Sequence, residues 1–363
     1  MRILHTESSI GWGGQELRIL TEAQGMLARG HQVTLLTPES ADIYPAARAR
    51  NIPVVALPME KKRPQALLAA RRWLAGQRGR FDVINTHSST DSWLVALARA
   101  TLGDMPPIVR TRHVSTRVHK DRATRWLYQT ASAHIVTAGE ALRAQLAREN
   151  GFALERMTSV PTGIDLARFR PMDRIAARCE AGLHERLALG IVATLRDWKG
   201  HAYLLDAWAR LAPRFADWQL VVIGEGPQRA RLEARVAADG LASVRFVGNQ
   251  DNVPMWLSSL DLFTLPSFGD EGVPQAIMQA MACSLAVVAT PVGAIEEAVQ
   301  RGRTGLIVPP RDATALAAAL GALMEDSARR TAMGRAGREY AVAHFGIERM
   351  LDKMEAVFRQ VIR

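Results

Sequence analysis

The stretch MRILHTESSIGWGGQELRILTEAQGMLARGHQVTLLT, residues 1–37, decides the fold. Arg2–His5 is a short strand-like run, Leu17–Arg29 places apolar residues at helical spacing, and Gly30 ends that helix. Gln32–Thr37 is then a second strand. A strand, a helix and a strand in that order make a parallel pair, because the helix returns the chain to the end of the sheet where it began. Working outward, strand-like runs recur at Pro53–Leu57, Val83–Thr86, Ile108–Thr111, Ala133–Ala138 and Thr158–Pro161. The segment Asp165–Arg174 mixes Pro171 with charge and has no periodicity, which marks a domain boundary. A second series follows at Ala188–Thr194, Leu220–Gly224, Val244–Val247, Leu262–Leu265, Ala286–Thr290 and Gly305–Val308. Two such series predict an α/β chain of two doubly wound domains, with ligands at the carboxyl ends of the strands and in the cleft between.

The charge is lopsided. Of 363 residues, 46 are Lys or Arg and 36 Asp or Glu, a net +10. Residues 1–170 hold 24 basic and 14 acidic residues, whereas residues 171–363 hold 22 of each. An Arg-rich composition alone would not confine the excess to one half. An anionic partner for the first domain would, whether nucleic acid, a phospholipid surface or a phosphorylated glycan. The basic residues gather at Lys61-Lys62-Arg63, Arg71-Arg72, Arg78 and Arg80, and from Arg110 to Arg125. Two cysteines, Cys179 and Cys283, make no disulfide framework and fit a reducing cytoplasm. The opening residues do not resemble a signal peptide, and no apolar run approaches the roughly 18 residues that span a bilayer.

The turns after the strands point to the ligand. Ile10-Gly-Trp-Gly-Gly-Gln-Glu16 lies between the first strand and the first helix, where glycines admit an anion to free helix N–H groups. It lacks the G-x-G-x-x-G spacing, and Thr37-Pro38-Glu39 is a poor match for the acidic residue that holds a ribose, so hydride transfer is disfavoured. A tight turn without a ligand is the competing reading. In the second half, Ala193-Thr-Leu-Arg-Asp-Trp-Lys-Gly-His201 sets Arg196 and Lys199 at a strand tip beside a helix start. Two cations there can neutralise a diphosphate, although a solvated surface pair has the same appearance. Asp270 and Glu271 add carboxylates that accept hydrogen bonds from hydroxyls, which beside a diphosphate cradle means a sugar.

Taken as a set, GWGGQE, RTRHVS, TGIDLARFRP, RDWKGH, GEGP, RFVGN, EGVPQAIMQAMA, VVATPVGAIEEAV and TGLIVPPRD resemble the retaining glycosyltransferases of family 4 over nearly the whole chain. HTESS with the first, second and fourth of these is most similar to bacterial members that assemble cell-surface glycans, including lipopolysaccharide. The resemblance implies the GT-B fold, two facing Rossmann-like domains with an interdomain cleft. It implies an acceptor-side domain of residues 1–168 plus a returning C-terminal helix, 343–363, and a donor-binding domain of residues 169–342. By this split the acceptor-side domain carries +10 and the other is neutral. Carried over, Gly13 and Gly14 let the first loop approach the donor phosphates. Arg196 and Lys199 bind the diphosphate and stabilise the leaving nucleotide, and Glu271 holds the sugar hydroxyls. Gly272 and Val273 lie close to sugar and phosphate, Gln279 contacts the ribose, and Val247 to Asn249 lie near the base. His113 sits near the reacting centre and His87 lines the acceptor side; in His87 the alternative is a role in capping the next helix.

Three positions depart from the family. Its second glutamate is Gln279, which keeps an acceptor oxygen without the charge. The strand-tip arginine's usual position is Thr194, so Arg196 is the substitute. A Gly-x-Pro turn is replaced by Ser284-Leu-Ala286. The family retains anomeric configuration by a same-face route in which the leaving phosphate helps to deprotonate the incoming hydroxyl. Asp270 and Glu271 therefore position sugar and are not a glycosidase pair. There is no Asp-x-Asp and no His/Cys cluster, so no catalytic metal and no cofactor is expected. The expected partners are a nucleotide sugar, UDP-linked, a glycan or glycolipid acceptor and an anionic membrane surface; nucleic acid is disfavoured. The expected place is the cytoplasm, peripheral on the inner face of the cytoplasmic membrane. The competing readings are a catalytically silent nucleotide-sugar binder, for which Gln279 is the warning, and a GT-B nucleotide-sugar epimerase, against which Arg196, Lys199 and TGLIVPP argue.

Overall fold

A computed structural model describes residues 1–114, 116–183, 186–269 and 271–362. The chain divides into two units, Met1–Gly163 with Ile347–Arg363, and Ile164–Gly346.

The first unit holds seven strands: β1 Arg2–Thr6, β2 Gln32–Thr37, β3 Val54–Ala56, β4 Val83–Thr86, β5 Ile108–Arg112, β6 Ser132–Thr137 and β7 Met157–Ser159. All pair in parallel, in the order β3-β2-β1-β4-β5-β6-β7. The second holds six: β8 Leu187–Val192, β9 Trp218–Ile223, β10 Val244–Gly248, β11 Leu262–Leu265, β12 Val287–Ala289 and β13 Gly305–Ile307. They too are all parallel, in the order β10-β9-β8-β11-β12-β13. Helices cover both faces, so central strands such as Trp218–Ile223 are buried throughout and read as continuous apolar runs. Each sheet winds outward from one central strand, reverses and winds the other way. The reversal falls between β1 and β4 in the first unit and between β8 and β11 in the second, and at such a switch point the loops diverge and leave a crevice.

The helix Ile347–Ile362 belongs to the first unit because of its apolar stripe. Met350, Leu351, Met354, Val357 and Phe358 are buried, each adding roughly 1.5–3 kcal/mol of apolar burial. Leu351 lies against Gly25, where a Cβ would come within 2.4 Å of its Cδ1, so the two helices meet at the contact a glycine permits. Arg29 clasps the polar side, 2.8 Å from Asp352 and 3.1 Å from Glu355.

The division falls a few residues before the position 168 read from the sequence, and on the return a few residues after 343. Ile164 pairs with Gly346, and its N–H donates to the Phe345 carbonyl at 2.7 Å, so both connecting strands of chain are tied within the second unit. The Pro171 segment follows the division and does not mark it. Ser284, where the family's turn has glycine, takes φ +64°, so the turn keeps its left-handed conformation with a side chain present.

Candidate active site

The second unit's switch point is held together by its backbone. The β8 loop passes through the short turn Asp197–Lys199 into the helix His201–Leu211, and Gly200 between them has φ +81°. A Cβ on Gly200 would lie 2.0 Å from the Pro266 carbonyl oxygen, so the loops after β8 and β11 touch where only glycine fits. Gly293, with φ +58°, meets the Glu271 carbonyl in the same way, at 1.8 Å from a Cβ. The Phe268 N–H donates to the Trp198 carbonyl at 2.8 Å and closes the two loops further.

This frame sets Lys199 against Glu271, with Nζ 2.6 Å from Oε1. Ser267 donates its hydroxyl to the same oxygen at 2.7 Å, and Thr290 donates to the Ser267 carbonyl at 2.5 Å. Both charged side chains are largely buried, so solvent screens the pair little, and the start of the helix behind Lys199 adds positive potential. An ammonium and a carboxylate at the diverging loops of a switch point offer complementary charge to a phosphate and hydrogen-bond acceptance to hydroxyls. Ser267 and Thr290 were not singled out from sequence; small hydroxyl residues at strand ends carry no distinguishing pattern. Burial, with Lys199 nearby, pushes His201 down to about 4, so it is neutral at physiological pH.

The other expected donor residues fall around this pair unevenly. Arg196 is exposed and rests its guanidinium 5.2 Å over the Trp198 ring, at the start of the short turn that Lys199 ends. Gly272 is half-buried and Val273 buried just after Glu271, and Gln279 is half-buried in the helix Gln275–Ala282. Val247 lies near the end of β10, the edge strand two places from β8, and exposed Asn249 just follows it; the Val247 carbonyl accepts Gln250 Nε2 at 2.5 Å. Asp270 lies outside the described residues. Trp198 keeps 38% of its surface exposed while its side chain lies against Gly269, where a Cβ would come within 2.7 Å, and Trp12 keeps 45% exposed.

The first unit's switch point has another character. Around β1, β4 and β5 stand His5, Glu7, Glu22, His87, Asp91, Arg110 and Arg112, all 9% exposed or less. Asp91 and Ser88 form the capping box of the helix Ser89–Leu102, and Asp91 also accepts the His87 N–H at 2.9 Å and the Thr6 hydroxyl at 2.7 Å. Glu7 accepts the Ser9 N–H at 2.7 Å together with Gln15 and the Ser88 hydroxyl. Burial, with Asp91 close by, pushes Glu7 up to about 8, and burial pushes Asp91 up to about 6 against its hydrogen bonds.

His87 does not line an open surface. It is buried between His5 and His113, with a ring nitrogen 2.9 Å from each. The expectation that His87 lines the acceptor side meets a buried ring: β1, β4 and β5 are neighbours in the sheet, so their ends stack the three rings and leave half-buried His113 outermost. Capping falls to Ser88. Gly13 and Gly14 start the helix Gly14–Ala28, and Gly13 is extended at φ −175°, a conformation open to any residue.

Beside the histidines is a group of cations. Arg110 lays its guanidinium 4.7 Å over the Tyr128 ring and donates to the Ser88 carbonyl at 3.2 Å. Arg112 donates to the Tyr128 hydroxyl at 3.0 Å, and Lys62 to Ser89 Oγ at 3.1 Å. None of the three has a carboxylate ion pair among the described residues, and burial together with Arg110 lowers Lys62. Among the described residues no three His, Cys, Asp or Glu side chains gather as metal ligands, and no helix is long and apolar enough to cross a membrane.

Two parallel sheets with ligand crevices at matching switch points are the architecture of a GT-B glycosyltransferase, and the relatives agree. The chain matches the model of Glycosyltransferase Family 4 over residues 12–168 and that of Glycosyl transferases group 1 over residues 186–326. It is 33% identical over 265 residues to the lipopolysaccharide core biosynthesis mannosyltransferase LpsB of Rhizobium meliloti, covering 70% of this chain and 74% of the relative. It is 30% identical over 344 residues to the phosphatidyl-myo-inositol mannosyltransferase of Mycobacterium tuberculosis, covering 90% and 87%. The fold matches the crystal structure of Anabaena Alr3699/HepE in complex with UDP at a TM-score of 0.88, with 19% identity over 99% of this chain and 100% of that one. The chain belongs to glycosyltransferase family 4, the group 1 glycosyltransferases.

Proposed function

We propose that this glycosyltransferase moves a sugar from a nucleotide sugar to a lipid-linked or lipopolysaccharide glycan, with retention and without a metal. The observation that carries the reading is the Lys199–Glu271 pair at the second unit's switch point. Breaking the anomeric C–O bond leaves positive charge on the sugar and negative charge on the diphosphate. Lys199, with Arg196 nearby in the chain, meets that negative charge, and a fixed cation there lowers the barrier by several kcal/mol. Glu271, already engaged by Lys199 and Ser267, orients sugar hydroxyls and is not a nucleophile. Deprotonation of the incoming hydroxyl falls to the leaving phosphate.

On the acceptor side, the Lys62–Arg110–Arg112 cluster supports an anionic acceptor, and the basic excess of residues 1–170 supports an anionic membrane surface at the cytoplasmic face. Relatives named mannosyltransferases make mannose the first sugar to try; the carrier proposed from the sequence is UDP. A thermal-shift panel of UDP-, GDP- and ADP-sugars tests the core of this reading, and it fails if none raises the melting temperature. Transfer that survives EDTA supports the metal-free route. Equal binding to neutral and anionic vesicles at low salt would remove the membrane surface.

A further inference from the structure

We propose that Glu22 and His5 are positioning residues that act through His87 to hold His113 with a bare Nδ1, ready to accept a hydrogen bond from a substrate hydroxyl. The inference rests on reading the first unit as the acceptor side of a glycosyltransferase.

Three imidazoles stand in a row. His5 Nδ1 lies 2.9 Å from His87 Nε2, and His87 Nδ1 lies 2.9 Å from His113 Nε2. Their planes are within 16° and 25° of parallel. Burial keeps all three neutral at physiological pH: it lowers His5 to about 3, and with the neighbouring cations it holds His87 and His113 well below the usual range. A neutral imidazole carries one N–H and one lone pair, and a hydrogen bond between two imidazoles needs one of each. The row therefore has two settings. Either every ring is protonated at Nε2, or every ring is protonated at Nδ1; any mixture sets two lone pairs or two N–H groups against each other. Whatever fixes the inner ring fixes the outer one.

The inner end faces Glu22. His5 Nε2 has no hydrogen-bond partner and lies 3.9 Å from Glu22 Oε1, and both side chains are completely buried. Burial raises Glu22 to about 7; ionised above that, its oxygen opposite Nε2 favours a proton there, which selects the all-Nε2 setting. Glu22 is held in place. Asn85 Nδ2 donates to Oε1 at 3.2 Å, Thr111 donates to Asn85 Oδ1 at 2.7 Å, and Arg18 Nε lies 3.8 Å from Oε2. Arg18 is anchored in turn on the Val160 carbonyl. The charged or titratable groups around Glu22 are thus Arg18 on its own helix and His5 on β1, with neutral Asn85 on β4 and Met354 of the C-terminal helix against Arg18 at 3.8 Å.

The outer end is open. His113 Nδ1 bonds no described residue, and its ring is only half-buried. In the all-Nε2 setting that nitrogen is a lone pair, an acceptor for a sugar hydroxyl; in the other it would be a donor, and the polarity of the contact would reverse. Two buried histidines, a half-buried third and a buried glutamate, far from cheap to keep in a core, gain a purpose if they hold that polarity.

Imidazole 15N spectra of the histidine-labelled chain without substrate read the setting directly. The expected result is Nε2–H with bare Nδ1 on His5, His87 and His113; Nδ1–H on His113 overturns the proposal. At pH 8, where Glu22 is ionised, Glu22→Gln removes the carboxylate's charge, so both settings should be populated and kcat should fall roughly tenfold, with the KM for the nucleotide sugar within about twofold. A merely structural Glu22 would lower stability and leave the tautomers unchanged, which also overturns the proposal, as does a changed tautomer with unchanged kcat. If Glu22→Gln does not fold, the wild-type spectrum decides alone. Failure of every nucleotide sugar in the thermal-shift panel would overturn the donor reading and leave the spectra as they are, so the two failures are distinct.

Discussion

The two units share a winding order and a switch point, yet they fill that crevice in opposite ways. In the second, close backbone contacts at Gly200 and Gly293 draw the loops together, and one ion pair, Lys199–Glu271, stands at the opening. In the first, the crevice is packed with the chain's own polar side chains: buried His5 and His87 behind half-buried His113, with Glu7, Glu22, Asp91, Arg110 and Arg112. The contrast teaches that one topology supplies a place and the residues decide its use. On the proposed reading, a site that receives a whole nucleotide sugar keeps its side chains few and its backbone close, whereas a site that orients one incoming hydroxyl supports half-buried His113 with buried layers behind it.

The largest effect should come from the ion pair. Lys199→Ala is expected to lower kcat by roughly 10²–10³, as loss of a fixed donor at a developing negative charge does elsewhere. A kcat within threefold of wild type in a transfer assay would mean that the second crevice is not where the charge develops. Next is a paired glycine test. Gly293→Ala drives a Cβ into the Glu271 carbonyl at a left-handed φ and should destabilise the second unit by about 3 kcal/mol or more. Gly13→Ala in the first unit meets nothing nearer than Glu16 Oε2 at 3.6 Å, on extended backbone, and should leave stability within about 0.5 kcal/mol. Equal losses on denaturant unfolding would erase the contrast.

A third difference is pH. Folded Glu7 and Glu22 hold protons up to about 8 and about 7, while the unfolded chain releases them near 4.5, so their contribution is complete below 4.5 and is lost as pH rises through those values. The histidines act in the other direction: His5, His87, His113 and His134 stay neutral when folded, and their contribution is complete above 6.5 and is lost as pH falls. The two trends oppose one another between 4.5 and 6.5, which leaves pH 6.5–8 as the clean window. Hydrogen exchange there should show protection falling in β1 and β4 while β8 and β11 hold, because the second unit's shifted groups, His201 at about 4 and Cys283 at about 12, do not titrate in it. A parallel fall in both sheets would contradict this. The smallest effect is at the turn. Ser284→Gly should add about 1 kcal/mol of stability by relieving the left-handed backbone, measured as a shift in the denaturation midpoint. No gain would show that the Ser284 side chain makes up for the strain.

Much of this was legible in the chain. All thirteen strands could be located because each is a short apolar-rich run bounded by turn or helical sequence, and Lys199 and Glu271 were each singled out in the loops after such strands, although not as a pair. Their ends drifted by a residue or two, as at β9, which begins at Trp218 and not Leu220. The domain boundary also moved, because the pairing of Ile164 with Gly346 joins residues far apart in sequence. Arg18 and Glu22, four apart on a helix, have the spacing of an ordinary surface ion pair, and only packing under the C-terminal helix buries them.

Local sequence thus determined the elements, their parallel winding and the residue types at the strand tips, since propensity, periodicity and turn chemistry act over a few residues. Tertiary structure decided which strand tips are neighbours. It brought Lys199 to Glu271 across the β8–β11 reversal and set His5, His87 and His113 in one row from three strands. Strand order and register depend on pairing between segments up to 80 residues apart, and hydrogen bonds of 2.6–2.9 Å exist only once that register is set.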